Sequence, residues 1–413
     1  MPSNWRTCLC FIIVGHIQLF GVLAEFTHFT QHNMIDSRAG GMGGTYIALS
    51  DTLSGSYYNP AGLAFIDHFR MTESSNMHRS TTLTYTGIED NFSYEFHSTT
   101  TVPPFIGLFQ QFDPFNMAFS VIVPKSEKYN KKYKKSFTDA NGSAITFYEN
   151  FDGHNDHYLI GPSIATLITQ DISLGIGVFY SHETRNYIQN IFTFPTNYPT
   201  KTQIWSNTYN EEITEEIMVK LGLQWMPNTR WSFGTSLTLP IQLSSKGYEQ
   251  KTMALIDSTR NEPASTSSLV HNLSTMGFKS NYPSLGIGIA HLFSTRTLAT
   301  MDIRYMMASS DAPIFPATSV ANISMGVEHY VSPMFPFRAG IYTNSSYFPK
   351  HRDGDHLNGM GITASLGYES GGNSLSIGID FQHGKGSSTS NGITTLGIDF
   401  SSATVMVSGQ RNI

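Results

Sequence analysis

The chain has little cysteine and few charged residues. Its two cysteines, Cys8 and Cys10, lie within the first 24 residues, so the remaining sequence offers no disulfide, thiolate metal site or cysteine nucleophile. Charged residues make up 14% of the 413 residues, well below the roughly 25% of soluble domains. The net charge of −6 leaves no basic footprint, so we expect no nucleic-acid partner.

Long apolar runs are missing beyond the N-terminus. Residues 1–24 are typical of a secretory signal peptide, because Arg6 precedes an apolar stretch that ends in Val22-Leu23-Ala24. A membrane anchor helix is the alternative, although about 17 residues with two polar interruptions are short for a span. A chain of this kind that crosses a membrane must do so with strands, since only helices and closed barrels satisfy every backbone group in lipid.

Motifs for chemistry are also scarce. Gly40 to Gly44 lacks the Gly-Lys-Ser/Thr ending of a phosphate loop, and Gly-x-Ser-x-Gly is absent. The His and Asp residues of 154–157 and 351–356 match no zinc or calcium spacing. We therefore expect no enzyme activity, no cofactor and no bound metal.

What the chain does have is a repeated two-residue alternation, together with 35 glycines and 13% aromatic residues. In Leu375–Phe381, for example, every second residue is apolar and the residues between them are Ser, Gly and Asp. Many aromatics and glycines with few charges are typical of a curved wall that faces lipid. The pattern predicts an all-β fold, a transmembrane antiparallel β-barrel over residues 67–413.

Short turns alternate with long polar stretches, as in outer-membrane barrels. The long stretches, predicted as loops, include 124–156, 183–213 and 244–282. Counting between the loops predicts 14 strands with both termini in the periplasm, and 16 strands is the alternative. The predicted strands lie near 68–87, 100–111, 115–124, 157–169, 171–182, 214–226, 230–243, 283–293, 297–307, 320–331, 336–344, 358–369, 373–384 and 393–408.

The alternation is absent from residues 25–66. The glycines of 40–44 permit backbone angles that are closed to other residues. Asn59-Pro60 predicts a capped helical turn, because Asn is a strong N-cap and Pro is favoured at the first helical position. We predict that this segment forms a small helical and irregular hatch inside the barrel lumen.

The segments 38–51 and 57–65 resemble the FadL/TodX family of outer-membrane channels for long-chain fatty acids and hydrocarbons, including relatives in spirochaetes and Bacteroidetes. The resemblance rests on Gly-Met-Gly-Gly, Ala-Leu-Ser-Asp and Tyr-Tyr-Asn-Pro-Ala-Gly-Leu-Ala at their spacing in this chain. It implies a hatch that contains the Asn-Pro-Ala motif, and a kinked third strand that opens the wall sideways. The predicted hatch and gate residues are Gly41, Gly43, Gly44, Asn59, Pro60 and Ala61.

Two further sets of residues are candidates for function. Pro124 either marks the sideways opening or simply ends the third strand, because proline removes a ladder donor. Charged residues on the predicted lumen face can brace the hatch or bind a ligand carboxylate. These residues are Lys220, Asp302, Arg304, Glu328, Arg338, Asp380 and Asp399, of which the cations Lys220, Arg304 and Arg338 are the carboxylate candidates. The lysine-rich run from Lys125 to Lys135 is predicted as a solvated loop.

These observations predict a monomeric channel in the cell outer membrane, surrounded by membrane lipid. It would take up long-chain fatty acids or similar hydrophobic molecules, with the hatch as its gate. The alternative is a barrel that transports nothing and acts as an assembly or secretion partner or as a surface antigen. A lipid-modifying enzyme is a weaker hypothesis, because the sequence offers no catalytic set.

Overall fold

Strands account for most of the chain, as its alternation predicts. The computed structural model describes residues 29, 33–66, 70–87, 93–138, 144–195, 203–257, 262–272, 281–308, 317–349, 354–390 and 394–412. The predicted signal peptide, residues 1–24, lies outside these ranges. The strands are β1 Arg70–Thr86, β2 Ser93–Phe112, β3 Phe115–Thr138, β4 Ala144–Leu167, β5 Ile172–Pro195, β6 Gln203–Asn228, β7 Trp231–Asp257, β8 Glu262–Asn272, β9 Ser284–Ser294, β10 Thr297–Met306, β11 Val320–Ser332, β12 Phe335–Ser345, β13 Gly354–Ser370, β14 Asn373–Ser390 and β15 Thr394–Asn412.

Fourteen of these strands close into one antiparallel barrel, which confirms the predicted fold and strand number. Strands β1 to β7 pair in sequence order, as do β9 to β15. The ring is completed where β1 pairs with β15 and where β7 pairs with β9. Strand β8 lies outside the ring, because it pairs only with Tyr248–Asp257 at the distal end of β7.

Three predicted loops are largely strand instead. β3 continues to Thr138, and β4 to β7 extend equally far above the periplasmic turns, so the loop predictions at 124–156, 183–213 and 244–282 were wrong. Strands β3 to β7 have 24 to 27 residues, whereas β9 to β12 have only 10 to 13. The wall is therefore tall on one side of the barrel and low on the other.

The lower part of the wall exposes large apolar side chains. On β14, the side chains of Leu375, Ile377 and Ile379 are 42% to 59% exposed on the outer face. Ser376 and Asp380, on the same strand, are buried in the interior. An apolar outer face around a polar interior is what a membrane-spanning barrel requires.

The upper part of the wall has the reverse arrangement. Leu396, Ile398 and Phe400 are at most 4% exposed and pack inside the barrel with aromatic residues of β1, β2 and β4. Asp399, predicted on the lumen face, lies outside instead, where its carboxylate is 3.9 Å from the ammonium of Lys385. That prediction failed because alternation separates two faces without telling which face is inside.

The lysine-rich run belongs to the upper part of β3 and not to a loop, so that prediction was wrong as well. Lys128 and Lys132 are exposed on the outer face. Lys131 turns inward, and its ammonium lies 3.3 Å from the centroid of the Tyr94 ring. The ring face of Tyr94 therefore stabilises this buried ammonium group through a cation–π interaction.

The lower lumen contains the predicted hatch. Its elements are helix α1 Ser37–Gly41, helix α2 Gly55–Tyr58 and a 3₁₀ helix Pro60–Phe65. None of the helices within the described ranges is long and apolar enough to cross a membrane.

Candidate functional site

The hatch is built from short capped turns. Asp36 caps α1, because its carboxylate accepts hydrogen bonds from the backbone N–H groups of Arg38 and Ala39. Asn59 caps the 3₁₀ helix, as the sequence predicts: its Oδ1 accepts a hydrogen bond from the backbone N–H of Ala61 at 3.2 Å, and proline takes the first helical position. Short polar side chains thus satisfy the helix ends that cannot pair within the helix.

Asn59 also ties the hatch to the wall. Its Nδ2 donates to the carbonyl of Ile47 at 2.8 Å and to the carbonyl of Leu223 on β6 at 3.2 Å. Asn59 is fully buried, so water cannot replace these hydrogen bonds. The amide of Asn59 and the backbone groups that it contacts therefore satisfy one another.

Glycines of the wall lie directly beneath the hatch backbone. A Cβ added at Gly175 or Gly222 would lie 2.4 Å or 2.1 Å from hatch atoms of residues 59–61. The wall glycines that are similarly closed by the hatch are Gly234, Gly288, Gly326 and Gly340. The small-residue face of the strands is therefore the seat of the hatch, a role that alternation alone did not predict.

Two of the three predicted hatch glycines, Gly41 and Gly43, contact β12 and β13, whereas the carbonyl of Gly44 accepts a hydrogen bond from Arg304 on β10. Thr363 on β13 donates its hydroxyl hydrogen to the carbonyl of Gly41 at 2.9 Å and accepts the N–H of Gly43 at 2.8 Å. Gly43 and Gly44 have φ values of 71° and 77°, in the region that favours glycine. The turn therefore needs glycine both for its backbone angles and for its approach to the wall.

Charged residues predicted to brace the hatch do contact it. Glu328 on β11 accepts two hydrogen bonds from the guanidinium of Arg38, at 3.0 Å and 3.1 Å, and a third from Arg338. Asp302 on β10 accepts the backbone N–H groups of residues 46–47 at 2.8 Å and 3.1 Å. These buried carboxylates fix the hatch to the low side of the wall.

Two of the three predicted ligand cations are already engaged. Arg338 is 1% exposed, bonds Glu369 at 2.7 Å as well as Glu328, and borders a separate cavity on the periplasmic side. Arg304 donates to the backbone carbonyl of Gly44 in the hatch. Both arginines therefore hold protein groups in place.

A cavity of about 180 Å³ lies in the lumen beside the hatch, and Lys220 borders it. The Lys220 ammonium is 3.3 Å from the Thr238 hydroxyl and 4.4 Å from the centroid of the Tyr57 ring. Among the residues described, no carboxylate forms an ion pair with it. The apolar part of the lining includes Phe29, Tyr57, Leu159, Met218, Met306 and Tyr347. Polar and charged residues form the rest of the lining, including Lys125, His157, Glu183 and Arg304. The cavity is therefore part apolar and part polar, and Lys220 lies at its polar part without a described carboxylate partner.

The wall beside this cavity has a gap in its hydrogen-bond ladder. Strands β2 and β3 pair at Ser98–Tyr129 and again from Phe105–Ile122 downward, with no ladder pair between them. We call Thr99–Pro104 and Val123–Lys128 the wall gap. Its two sides contain Pro103, Pro104 and Pro124, and proline cannot donate to a ladder.

The second interpretation of Pro124, that it ends the third strand, was wrong. β3 continues through it, and the pairing of β3 with β4 shifts by one residue between Ile122 and Lys125, which is a β-bulge. Pro124 and Lys125 also line the lumen cavity. The wall gap and the cavity are therefore adjacent.

Asn33 closes the inner side of the wall gap. Its backbone N–H donates to the carbonyl of Pro124 at 2.9 Å, and its Nδ2 donates to the carbonyl of Val123 at 2.8 Å. Because the ladder between β2 and β3 is interrupted here, these two carbonyls accept hydrogen bonds from Asn33. The sequence gives no local signal for this role, because the contact joins residues 90 positions apart.

Phe29 lies between the cavity and the upper interior. Its ring packs edge-on against Phe400, with 5.0 Å between the ring centroids, and its backbone forms a bridge with Ser346. It belongs to the apolar cluster of the upper barrel and also lines the cavity. A molecule passing from the upper interior into the cavity would meet this ring.

Solved outer-membrane channels share this fold. The toluene transporter TodX of Pseudomonas putida matches with a TM-score of 0.66 and 16% identity, over 94% of this chain and 100% of that chain. A FadL homologue of Pseudomonas aeruginosa gives 0.60 and 13% identity, over 94% and 100%. The toluene transporter TbuX of Ralstonia pickettii gives 0.57 and 14%, over 92% and 99%. The resemblance to the FadL/TodX family is confirmed at the level of the fold.

No protein-family model matches the sequence, and no curated protein matches it either. Within the described ranges, no group of three or more His, Cys, Asp or Glu side chains is placed to hold a metal ion.

Proposed function

We propose that this chain is an outer-membrane channel that takes up long-chain fatty acids or similar hydrophobic molecules, and that the ligand leaves the lumen sideways through the wall gap. The observation that carries the proposal is the adjacency of the cavity, Lys220 and the wall gap around Pro124. Solved structures of the same fold include proteins described as toluene transporters, which supports a hydrophobic ligand.

The contacts of the hatch favour a sideways route over passage through the floor. The hatch bonds to wall residues on many strands, including Ser75 on β1, Asn116 on β3, Ser173 on β5, Gln224 on β6 and Thr363 on β13. Opening a vertical path would break many of these buried bonds together, each with a penalty of about 1–3 kcal/mol for an unsatisfied group. The described bonds that close the wall gap are fewer: two from Asn33 to β3, and one at the upper edge from the backbone N–H of Lys128 to the Ser98 hydroxyl.

We therefore assign gating to Phe29 and Asn33, and give the Gly41–Gly44 and Asn59–Ala61 motifs the role of fixing the floor. An apolar cavity of about 150 Å³ holds one benzene ring. The lumen cavity, at about 180 Å³, therefore has room for one ring or a short piece of an acyl chain. A longer chain requires Phe29 or Asn33 to move.

Ligand binding is tested on the refolded full-length protein with dodecanoic acid and with toluene. Lys220→Met should weaken dodecanoic acid binding about tenfold or more, because a charge-assisted hydrogen bond is worth about 1.5–3 kcal/mol, and leave toluene binding unchanged. Lys132→Met is the matched control, since Lys132 is exposed on the outer face of β3. A folded barrel that binds neither compound would reject the proposal and favour the non-transporting barrel.

The sideways route is tested with Asn33→Ala in vesicles. The variant loses the Nδ2 bond to the carbonyl of Val123 and keeps the backbone bond to Pro124. Entry of the ligand should become about tenfold faster, because about one net hydrogen bond that holds the gap closed is removed. Asn116→Ala is the control: Asn116 also joins the hatch to β3, through the carbonyl of Leu63 at 2.8 Å, but away from the wall gap. Equal rates for the two variants would contradict an exit at the gap.

A further inference from the structure

Strand β1 differs from the rest of the barrel on its outer face. Each of the other thirteen barrel strands exposes at least one large hydrophobic side chain, whereas the described side chains of β1 include none. The apolar residues of β1, such as Met77 and Leu83, face inward and are buried. We call its outward-facing residues the β1 stripe: Thr72, Ser74, Asn76, His78, Ser80 and Thr82.

The β1 stripe crosses the apolar band of the wall. On the neighbouring strand β15, Val407 is paired with Asn76 and Val405 with His78, and both valines are exposed. From Thr72 to Thr82 the strand is about 34 Å long at ~3.4 Å per residue. With the usual tilt of about 35–45°, this length covers the ~25 Å height of a barrel's apolar band.

Polar groups at this height need a partner. Ser74 and Asn76 are exposed, and the described residues offer their side chains no hydrogen-bond partner. Facing hydrocarbon, an unpaired amide or hydroxyl is unfavourable by about 1–3 kcal/mol on the scale of protein mutations. The β1 stripe is therefore suited to contact with something polar at membrane depth.

The β1 stripe passes beside the wall gap. The pairing of β1 with β2 shifts between Ser75 and Met77, so that Asn76 lies opposite the Pro103–Pro104 side of the gap. Two residues above Asn76, Nδ1 of His78 lies 2.7 Å from the hydroxyl of Thr101. Only the width of β2 separates the stripe from the gap.

We propose that the β1 stripe is a track for the polar head of an amphipathic ligand, specifically a long-chain monocarboxylic acid. The inference rests on the proposed function. A ligand that emerges at the wall gap enters lipid near the upper edge of the apolar band, since Pro124 is the tenth residue of β3. Its carboxyl group then exchanges hydrogen bonds from His78 down to Thr72 while its tail stays in lipid.

The track has a physical reason. A carboxyl head that crosses the apolar core alone loses its hydrogen bonds with water, and the outer-face hydroxyls and amide replace them at intervals of two residues, about 7 Å. The tail can contact apolar side chains on both sides of the β1 stripe. These are Val405 and Val407 on β15 and Ile106 and Leu108 on β2. The head and the tail of one molecule thus find separate surfaces.

The first experiment locates the head of the ligand. Full-length protein in phospholipid vesicles is irradiated with a dodecanoic acid that carries a diazirine on the carbon next to the carboxyl group, and labelled peptides are mapped. We expect adducts in the lumen cavity and on β1 between residues 72 and 80. Lumen adducts without β1 adducts would overturn the track and leave the channel standing. Absence of both would reject the channel as well.

The second experiment removes the track. Ser74→Val with Asn76→Leu should lower β1 labelling and the rate of dodecanoic acid delivery about tenfold, the effect of about one net hydrogen bond, and leave lumen labelling unchanged. Because both changes place apolar groups against lipid, the fold should be kept. Ser401→Val, an exposed hydroxyl higher on β15, is the control. Unchanged delivery, or unchanged labelling of β1, would overturn the proposal.

Discussion

The lower and upper parts of the barrel wall place their apolar side chains on opposite faces. Below, Ile377 and Ile379 face outward, Asp380 faces the interior, and glycines of the wall lie against the hatch. Above, Phe151 and Phe400 face inward while lysines and hydroxyl groups face outward. The same two-residue alternation serves both parts, since the surroundings change from lipid to water along one strand. Hydrophobic side chains simply occupy the side that is away from water in each part.

The largest test of this difference removes an aromatic ring from the upper interior. Phe151→Ala should lower the free energy of unfolding by about 3–5 kcal/mol, because Phe151 is buried in the aromatic cluster with Phe96 and Tyr187. Guanidinium unfolding in phospholipid vesicles measures it. Asn150→Ala, on the outer face of the same strand, should change it by less than about 0.5 kcal/mol. Equal effects would break the comparison.

The second test places one charge at two heights on β14. Ile379→Lys should lower the free energy of unfolding by about 2–4 kcal/mol, since lysine would face the membrane core. His383→Lys, four residues higher and also exposed, should be close to neutral. The same unfolding assay compares the two variants. Similar losses at both positions would mean that the apolar band extends above Phe381.

The third test addresses the polar interior of the lower part. Asn59→Ala removes a helix cap and leaves the carbonyls of Ile47 and Leu223 without one donor, so we expect a loss of about 1–2 kcal/mol in hatch stability. Protease cleavage of the hatch in the folded barrel measures this loss. Asn228→Ala, which removes a cap from an exposed periplasmic turn, should leave hatch cleavage unchanged. A larger hatch effect from Asn228→Ala would contradict the role given to Asn59.

The sequence predicted well those features that depend on neighbouring residues. Leu375–Phe381 alternates within a single strand, and Asn59-Pro60 starts a helical turn through a bond to Ala61. Short turns are equally local, which is why the number of barrel strands came out as 14. Polar composition misled the prediction at 124–156, because an extended strand above the membrane exposes as many polar groups as a loop.

The candidate site was only partly predictable. Lys220 borders the cavity, but Arg338 is held by Glu328 and Glu369, and a single lumen-face pattern cannot separate these two situations. Asn33 and Phe29 were missed altogether. Their contacts are with residues on β3 and β15, and no spacing within the N-terminal segment reports such distant partners.

The sequence by itself determined the barrel, its strand number and the hatch motif, because alternation, turns and caps are set by interactions between residues close in the chain. Only the tertiary structure decided which side of each strand faces inward, where the β2–β3 ladder breaks and what closes the break. These features depend on pairing between distant strands and on whether lipid, water or the hatch lies against each face. The wall gap, Lys220 and the polar outer face of β1 become one candidate route only when the barrel closes and places them side by side.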